Sequence, residues 1–247
     1  FYSLSDFSSR LGTLWRQRAM DPEKARQLKY ELIETFDEIA PHFDMTRYKP
    51  WPESRRFAST FSKDSLFLDL GCGNGRNAIH LAREGMRVVG LDFSKALLKI
   101  AKNKMEWKGV SKESELIHGD IVSLPLTDET FDAVLYIATI HHLPQPTERL
   151  SSLREVKRIL RSGGRALVSA WAQEQERFGE ELEKPVVEGL DYGDIFLPWK
   201  MKDGRVFQRY YHLFSRDEFE HMIVKSGLEV VRCFFSADNH YAELRKG

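Results

Sequence analysis

The chain holds only two cysteines, Cys72 and Cys233, too few for a disulfide framework or a zinc set. It lacks any uncharged apolar run approaching the ~20 residues a membrane helix needs. It also lacks a charge excess: Lys plus Arg and Asp plus Glu balance at 37 each, so bulk charge does not mark a nucleic-acid binder. No internal repeat or low-complexity stretch occurs. The opening "FYSLSDFSSRLGTLWRQRAMD" breaks its apolar pattern with charges, unlike a secretory signal. These absences point to a reducing, cytoplasmic setting. The 247 residues fit one large domain, or one domain with insertions.

Charge is clustered locally. Lys95, Lys99, Lys102, Lys104 and Lys108 form one basic run, and Arg154, Lys157, Arg158, Arg161 and Arg165 another. Acids dominate from Glu174 to Asp194. The simpler reading of each run is a solvated face.

Periodicity divides the chain into a helical extension with a strap over 1–60 and an α/β unit over 61–247. Leu28, Leu32, Ile33, Phe36 and Ile39 recur at helical spacing after a break at Pro22, so residues 1–40 read as largely helical. "FASTFSK" reads as a short helix. From Ser65 the pattern alternates: "LFLDL", "RVVGLD", "SELIHGD", "FDAVLYIATI" and "RALVSAW" as strands, with "RNAIHLARE", "SKALLKIAKNKMEW" and "ERLSSLREVKRILRSGG" as helices, the last closed by glycine. Such alternation means a parallel sheet with helices on both faces. Residues 172–208 break the rhythm and read as an insertion. "FSRDEFEHMIVKSG" then carries a capping box, Ser215 with Glu218, and a staple between Phe214 and Phe219. "LEVVRCFFS" and "HYAELRK" supply two final strands, the last antiparallel. The expected fold is a Rossmann-like α/β sheet of seven strands, mostly parallel.

"LDLGCGNGRN" sets Gly71, Gly73 and Gly75 between a strand and a helix, where a nucleotide can approach the backbone. Asp92 ends the next strand, placed to accept hydrogen bonds from ribose hydroxyls. The third glycine of a dinucleotide fingerprint would fall at 76, which is arginine. Asp69 beside the loop suits a cationic sulfonium and ammonium better than a pyrophosphate, which it would repel. Asp120 follows strand three, where a carboxylate can accept an adenine amino group. S-adenosylmethionine is therefore preferred, with a nicotinamide dinucleotide second and a ligand-free turn third.

The stretch His42–Pro52, "HFDMTRYKPWP", has three aromatics, two cations and two prolines and follows neither period. It reads as a stiff, basic, aromatic strap.

"LDLGCGNG", "GLDFS", "GDIVSLP", "FDAVLYIATIHHL" and "LRSGGRALVSAW" resemble the class I S-adenosylmethionine-dependent methyltransferases over roughly residues 65–171. "FDEIAPHFDMTRYKPWP", "IHHL", "ALVSAWAQEQ" and "QRYYHLFS" are similar to the tRNA methyltransferases that esterify carboxymethyluridine at the wobble position. The likeness runs from Phe36 to Ser215 and leaves residues 1–35 unmatched. It implies a tRNA substrate, a methyl ester product and a small zinc-binding activator subunit, in a heterodimer with no metal in this chain. It also adds Phe36, Phe93 and Ile121 to the cofactor set.

In such a reaction the nucleophile is a carboxylate, already ionised at neutral pH, so positioning replaces a general base. Arg47 and Arg209 suit a forked grip on the anion, and Tyr48, Lys49, Trp51, Trp171, Tyr210 and Tyr211 suit contact with a flipped base. Arg47 and Lys49 read equally as loop charges, and Trp51 and Trp171 as core anchors. Tyr210 and Tyr211 are expected to split, one packing inward. One of His141 and His142 is expected at the substrate and the other in a structural role, with the choice open. Two further readings stay open: a methyltransferase for a small carboxylic acid, and a cofactor-binding scaffold without catalysis.

Overall fold

Asp21 starts the first helix: its side chain accepts from the Lys24 N–H at 3.1 Å, and Pro22 fills the first helical position, where no N–H is missed. This helix, α1, runs Pro22–Thr46, with Leu32, Phe36, Ile39 and Ala40 buried. A computed structural model describes residues 20–183 and 186–247. The helical expectation for 1–19 lies outside the described residues. Helix α1 continues through Pro41, so the first half of the expected strap, His42–Thr46, is helical. The non-helical strap is only Arg47–Trp51. A second helix, α2, spans Pro52–Ala58 and so begins earlier than "FASTFSK" suggested.

The central sheet comprises Leu66–Leu70 (β1), Arg87–Asp92 (β2), Ser114–His118 (β3), Phe131–Tyr136 (β4), Leu160–Trp171 (β5), Glu229–Ser236 (β8) and Asn239–Arg245 (β9). Their order is β3-β2-β1-β4-β5-β9-β8. The first five pair in parallel and β9 runs antiparallel to both neighbours. Arg76–Arg83 (α3), Lys95–Lys108 (α4), Pro146–Ile159 (α5), Gly179–Leu182 (α6) and Arg216–Lys225 (α7) complete the helices. On α4, Leu97, Leu98, Ala101 and Met105 form the buried face, and Ser94 caps it by accepting from Leu97 N–H.

One helix end differs from expectation. Helix α5 stops at Ile159, and "LRSGG" opens β5 instead of closing the helix. The pairing jumps from Phe131↔Leu160 to Ala133↔Arg165, so the extra residues form a bulge, with Gly163 in the left-handed region at φ 75°. Strands β3, β4 and β9 also have narrower or shifted bounds than their quoted stretches.

Inside the 172–208 segment, Asp194–Lys200 (β6) starts a separate two-stranded sheet whose second strand, Val206–His212 (β7), ends beyond that segment. This hairpin packs on α1: Trp199 Nε1 donates to His42 Nδ1 at 3.0 Å, and Arg205 pairs with Glu38 at 3.0 Å. Ser215 caps α7 by accepting from Glu218 N–H, and Phe214 meets Phe219 edge-on at 6.0 Å. No helix among the described residues is long and apolar enough to cross a membrane.

Candidate active site

The cleft opens at the carboxyl ends of β1, β2 and β4, where ligands sit in open α/β sheets. Its floor is the glycine loop. At Gly71, φ is +77° and an added Cβ would lie 2.3 Å from Thr139 Oγ1, so only glycine allows β1 and β4 to approach this closely. Gly73 differs: its nearest neighbour would be 3.9 Å away, leaving its face open to the cleft.

Asp92 organises the loop. Its Oδ2 accepts from Gly73 N–H at 2.8 Å and its Oδ1 from Ser94 N–H at 2.9 Å. Burial raises its pKa to about 6, while the N–H groups of Ser94 and Gly73 favour the ionised form. Lone pairs remain on both oxygens, so the carboxylate fits ribose hydroxyls. Asp69 sits behind the loop and ties it to α3, accepting from Ala78 N–H at 3.1 Å; burial raises its pKa to about 7.

Helix α1 and the strap form the near wall. Phe36 meets Phe93 at 5.7 Å and Phe43 at 5.9 Å, both edge-on. Asn74, in the glycine loop, donates to Asp44 Oδ1 at 2.7 Å and to the Arg47 carbonyl at 2.8 Å. Trp51 N–H donates to Asn77 Oδ1 at 3.2 Å. The strap is thus pinned to the glycine loop and α3 at both ends.

The far wall is aromatic and cationic. Trp171 and Tyr211 stack at 4.4 Å with planes 5° apart, and Phe178 also stacks on Trp171 at 5.7 Å. Arg209 Nη1 donates to Tyr211 Oη at 2.6 Å, and its guanidinium lies 4.5 Å from the Trp199 ring. Its Nε is buried without a partner among the described residues. Burial lowers its pKa, and Arg47 and Arg177 push the same way. Arg47 lies 5.8 Å from the Trp199 ring, and Arg76 lies 5.2 Å from the Trp51 ring. Burial, with help from Arg47, lowers the pKa of Arg76 to about 10. Among the described residues none of Arg47, Arg76 and Arg209 has a carboxylate within ion-pair distance. Several cations crowding one cleft without counterions make a site for an anion.

His141 and His142 both face the cleft from a short 3-10 turn, Ile140–His142. Burial holds His141 far below the usual histidine range, and burial pushes His142 down to about 3, so both are neutral near pH 7. Ala138, just before this turn, has φ +51°, uncommon for a residue with a Cβ, and its N–H donates to Ser169 Oγ at 3.0 Å.

The cleft therefore gathers Phe36, Arg47, Trp51, Gly71, Gly73, Asp92, Phe93, His141, His142, Trp171, Arg209 and Tyr211 from the residues the sequence singled out. Others lie outside its lining. Tyr48 and Lys49 are exposed between Arg47 and Trp51, and Tyr210 packs inward with its hydroxyl on Asp194 at 2.6 Å. Asp69 is buried behind the loop and not at the cleft, Gly75 caps α3, Ile121 lies in the core, and Asp120 pairs with Lys29 at 3.0 Å. Sequence reasoning missed Asn74, Arg76, Thr139 and Trp199. Only Arg76 had a local signal, as a cation starting the helix after the glycines.

Residues 68–168 match the methyltransferase domain family. The chain is 30% identical over 244 residues to the tRNA (carboxymethyluridine(34)-5-O)-methyltransferase of Schizosaccharomyces pombe, covering 89% of this chain and 99% of that protein. The Saccharomyces cerevisiae protein of the same name is 35% identical over 182 residues, covering 73% of this chain and 60% of that protein. Among solved structures, a SAM-dependent methyltransferase from Methanosarcina mazei has a TM-score of 0.69 at 19% identity, covering 80% of this chain and 98% of that one. At that identity the likeness shows the fold alone.

Proposed function

The chain belongs to the tRNA (carboxymethyluridine(34)-5-O)-methyltransferase family, and from that premise we propose that its cleft methylates the carboxylate of 5-carboxymethyluridine at the wobble position of tRNA, giving a methyl ester. The observation that carries this reading is the group of unpaired guanidiniums, Arg47 and Arg209 above all, beside the glycine loop. S-adenosylmethionine, when bound, supplies an electrophilic methyl group. The open face of Gly73 and the spare lone pairs of Asp92 fit it, with Phe36 and Phe93 beside the ribose-binding acid.

The residues of this chain then bind and orient. A carboxylate with an intrinsic pKa of about 4 needs no deprotonation near neutrality. Arg47 and Arg209 neutralise and aim it, since a displacement at carbon depends on alignment more than on proton transfer. No proton need be taken by the histidines in this step. The ester product carries no charge, so the grip of the guanidiniums weakens after transfer, which favours release. Tyr48 and Lys49, exposed beside the cleft, suit contact with neighbouring nucleotides.

The same reading includes a zinc-binding activator. Strand β3 stands at the end of the sheet order, so its outer backbone groups lack a strand partner among the described residues. An added strand would pair there, around Glu115–Gly119, and bring the zinc with it, because two cysteines are too few for a zinc set.

The test is methyl transfer to wobble-carboxymethylated tRNA and to the same tRNA without the carboxymethyl group. Transfer only to the first supports the reading. Transfer to free carboxylic acids without stimulation by RNA points to a small-acid enzyme. Cofactor binding with no transfer points to a scaffold.

A further inference from the structure

His141 and His142 are held as opposite tautomers by backbone groups. His141 Nδ1 lies 3.1 Å from the Trp171 N–H, which can only donate, so Nδ1 carries the lone pair and Nε2 the proton. His142 Nδ1 lies 3.2 Å from the Tyr210 carbonyl, which can only accept, so Nδ1 carries the proton and Nε2 the lone pair. The two rings are 4.6 Å apart and both line the cleft. Neither Nε2 is hydrogen-bonded among the described residues, and neither is a sealed, partnerless atom. The pair therefore offers the cleft one N–H donor and one nitrogen acceptor, on neighbouring rings set at 74° to each other.

That pattern complements the Watson–Crick edge of uracil, where the N3–H donor adjoins a carbonyl acceptor. Cytosine shows the reverse, an N3 acceptor beside an amino donor. We propose that His142 Nε2 accepts the uracil N3–H while His141 Nε2–H donates to an adjacent carbonyl oxygen, so the two histidines select uracil over cytosine. This rests on the methyl-ester reading and assigns the base specificity of the same site. With the base held in place by its carboxymethyl group, cytosine would set its N3 lone pair against the lone pair of His142 Nε2. Relieving that clash means inverting the His142 tautomer, which breaks its bond to the Tyr210 carbonyl and strands that group in a buried wall.

A buried network explains how the Tyr210 carbonyl is aimed. The Tyr210 hydroxyl donates to Asp194, and His212 bridges Asp194 and Glu218 at 2.7 Å each. Glu218 in turn accepts from Arg149 Nη1 at 3.3 Å. These groups join the hairpin to α5 and α7. The network fixes β7 against the body of the protein, and with it the carbonyl that sets the proton of His142. Tyr210 is thus a positioning residue that acts through its backbone.

The experiment uses the full chain, with its activator where one is required. It compares anticodon stem-loop RNAs carrying 5-carboxymethyluridine, its N3-methyl derivative or 5-carboxymethylcytidine at the wobble position. The expected result is a kcat/KM lower by about 10²-fold or more for the second and third, since a site built to hydrogen-bond an N–H rejects a ligand without it. His142→Ala should lower turnover of the uridine RNA and bring all three within about threefold, with cofactor affinity by calorimetry unchanged. Equal turnover of uridine and cytidine RNAs by the native protein overturns the proposal, and this comparison needs no variant to fold. Discrimination that survives His142→Ala overturns it as well. No transfer to any of the three overturns the methyl-ester reading itself, and this inference with it.

Discussion

Replacing Arg209 by methionine should separate stability from activity. The residue is 8% exposed, its guanidinium packs on Trp199 and donates once to Tyr211, and its Nε has no acceptor. Burial and the neighbouring Arg47 and Arg177 all disfavour its charge in the folded protein. An unsatisfied buried polar group costs about 1–3 kcal/mol. Methionine keeps most of the stem packing and removes that cost. It gives up one hydrogen bond of about 1 kcal/mol and a cation–π contact of about 0.5–1 kcal/mol. The balance runs from about 1 kcal/mol destabilising to about 1.5 kcal/mol stabilising, a melting temperature within a few degrees of native for a chain of this size. Activity should fall far more. Losing a charge-assisted bond of about 1.5–3 kcal/mol lowers kcat/KM by at least about tenfold, and an unneutralised substrate carboxylate in the cleft takes the loss toward 10²-fold or more. Arg209→Lys, which keeps the charge but not the fork, should fall between. The assays are thermal melting, calorimetric cofactor binding and initial rates of labelled methyl transfer. A variant that melts several degrees lower and loses cofactor binding in proportion would show a structural role. Activity within about threefold of native would show that Arg209 does not hold the anion. Either result refutes the reasoning.

Asp92→Asn should weaken cofactor binding by about 1–3 kcal/mol, measured by calorimetry, because one amide oxygen cannot serve Gly73, Ser94 and a ribose together. Burial raises the Asp92 pKa from 3.8 to about 6, so ionising it costs folded-state stability as pH rises through that window. Native cofactor affinity should fall as pH drops below about 6, and the step should vanish in Asp92→Asn; a persistent step assigns the titration elsewhere. For His212, burial and Arg149 oppose the charge, yet Glu218 and Asp194 outweigh them and raise its pKa above 6.5. Its contribution is then fully present below pH 6.5 and lost as pH rises through the folded value. His212→Gln should lower stability by about 3–5 kcal/mol and flatten that alkaline loss of melting temperature, and an unchanged pH slope contradicts the assignment. Adding the activator to the purified chain should raise melting temperature and cofactor affinity; a lone chain that methylates tRNA at full rate contradicts the pairing at β3.

The parts legible in the sequence were those fixed by local pattern. "RVVGLD" gave β2 with its bounds because a buried parallel strand is a continuous apolar run between turn signals. The glycines and Asp92 were legible because close backbone approach demands particular residues. What was hidden depends on distant partners. Helix α1 passes Pro41 and ends only at Thr46, where Asp44 meets Asn74 and Lys104. The β5 bulge at Gly163 is held by pairing with Lys246 near the other end of the chain. Trp199 comes against Arg47 and Arg209 only because the hairpin folds onto His42, and no local period marks that. The paired histidines were visible as residues, but their tautomers depend on Trp171 and Tyr210.

The chemistry of the product tests ester formation most directly. The chain, alone and with the proposed activator, is incubated with methyl-labelled S-adenosylmethionine and wobble-carboxymethylated tRNA, and the recovered tRNA is treated with mild base. A methyl ester hydrolyses, so the label should leave the RNA as volatile methanol and the original carboxylate should return. Label that stays on the nucleoside after base means transfer to the ring or the ribose and contradicts ester formation at this cleft.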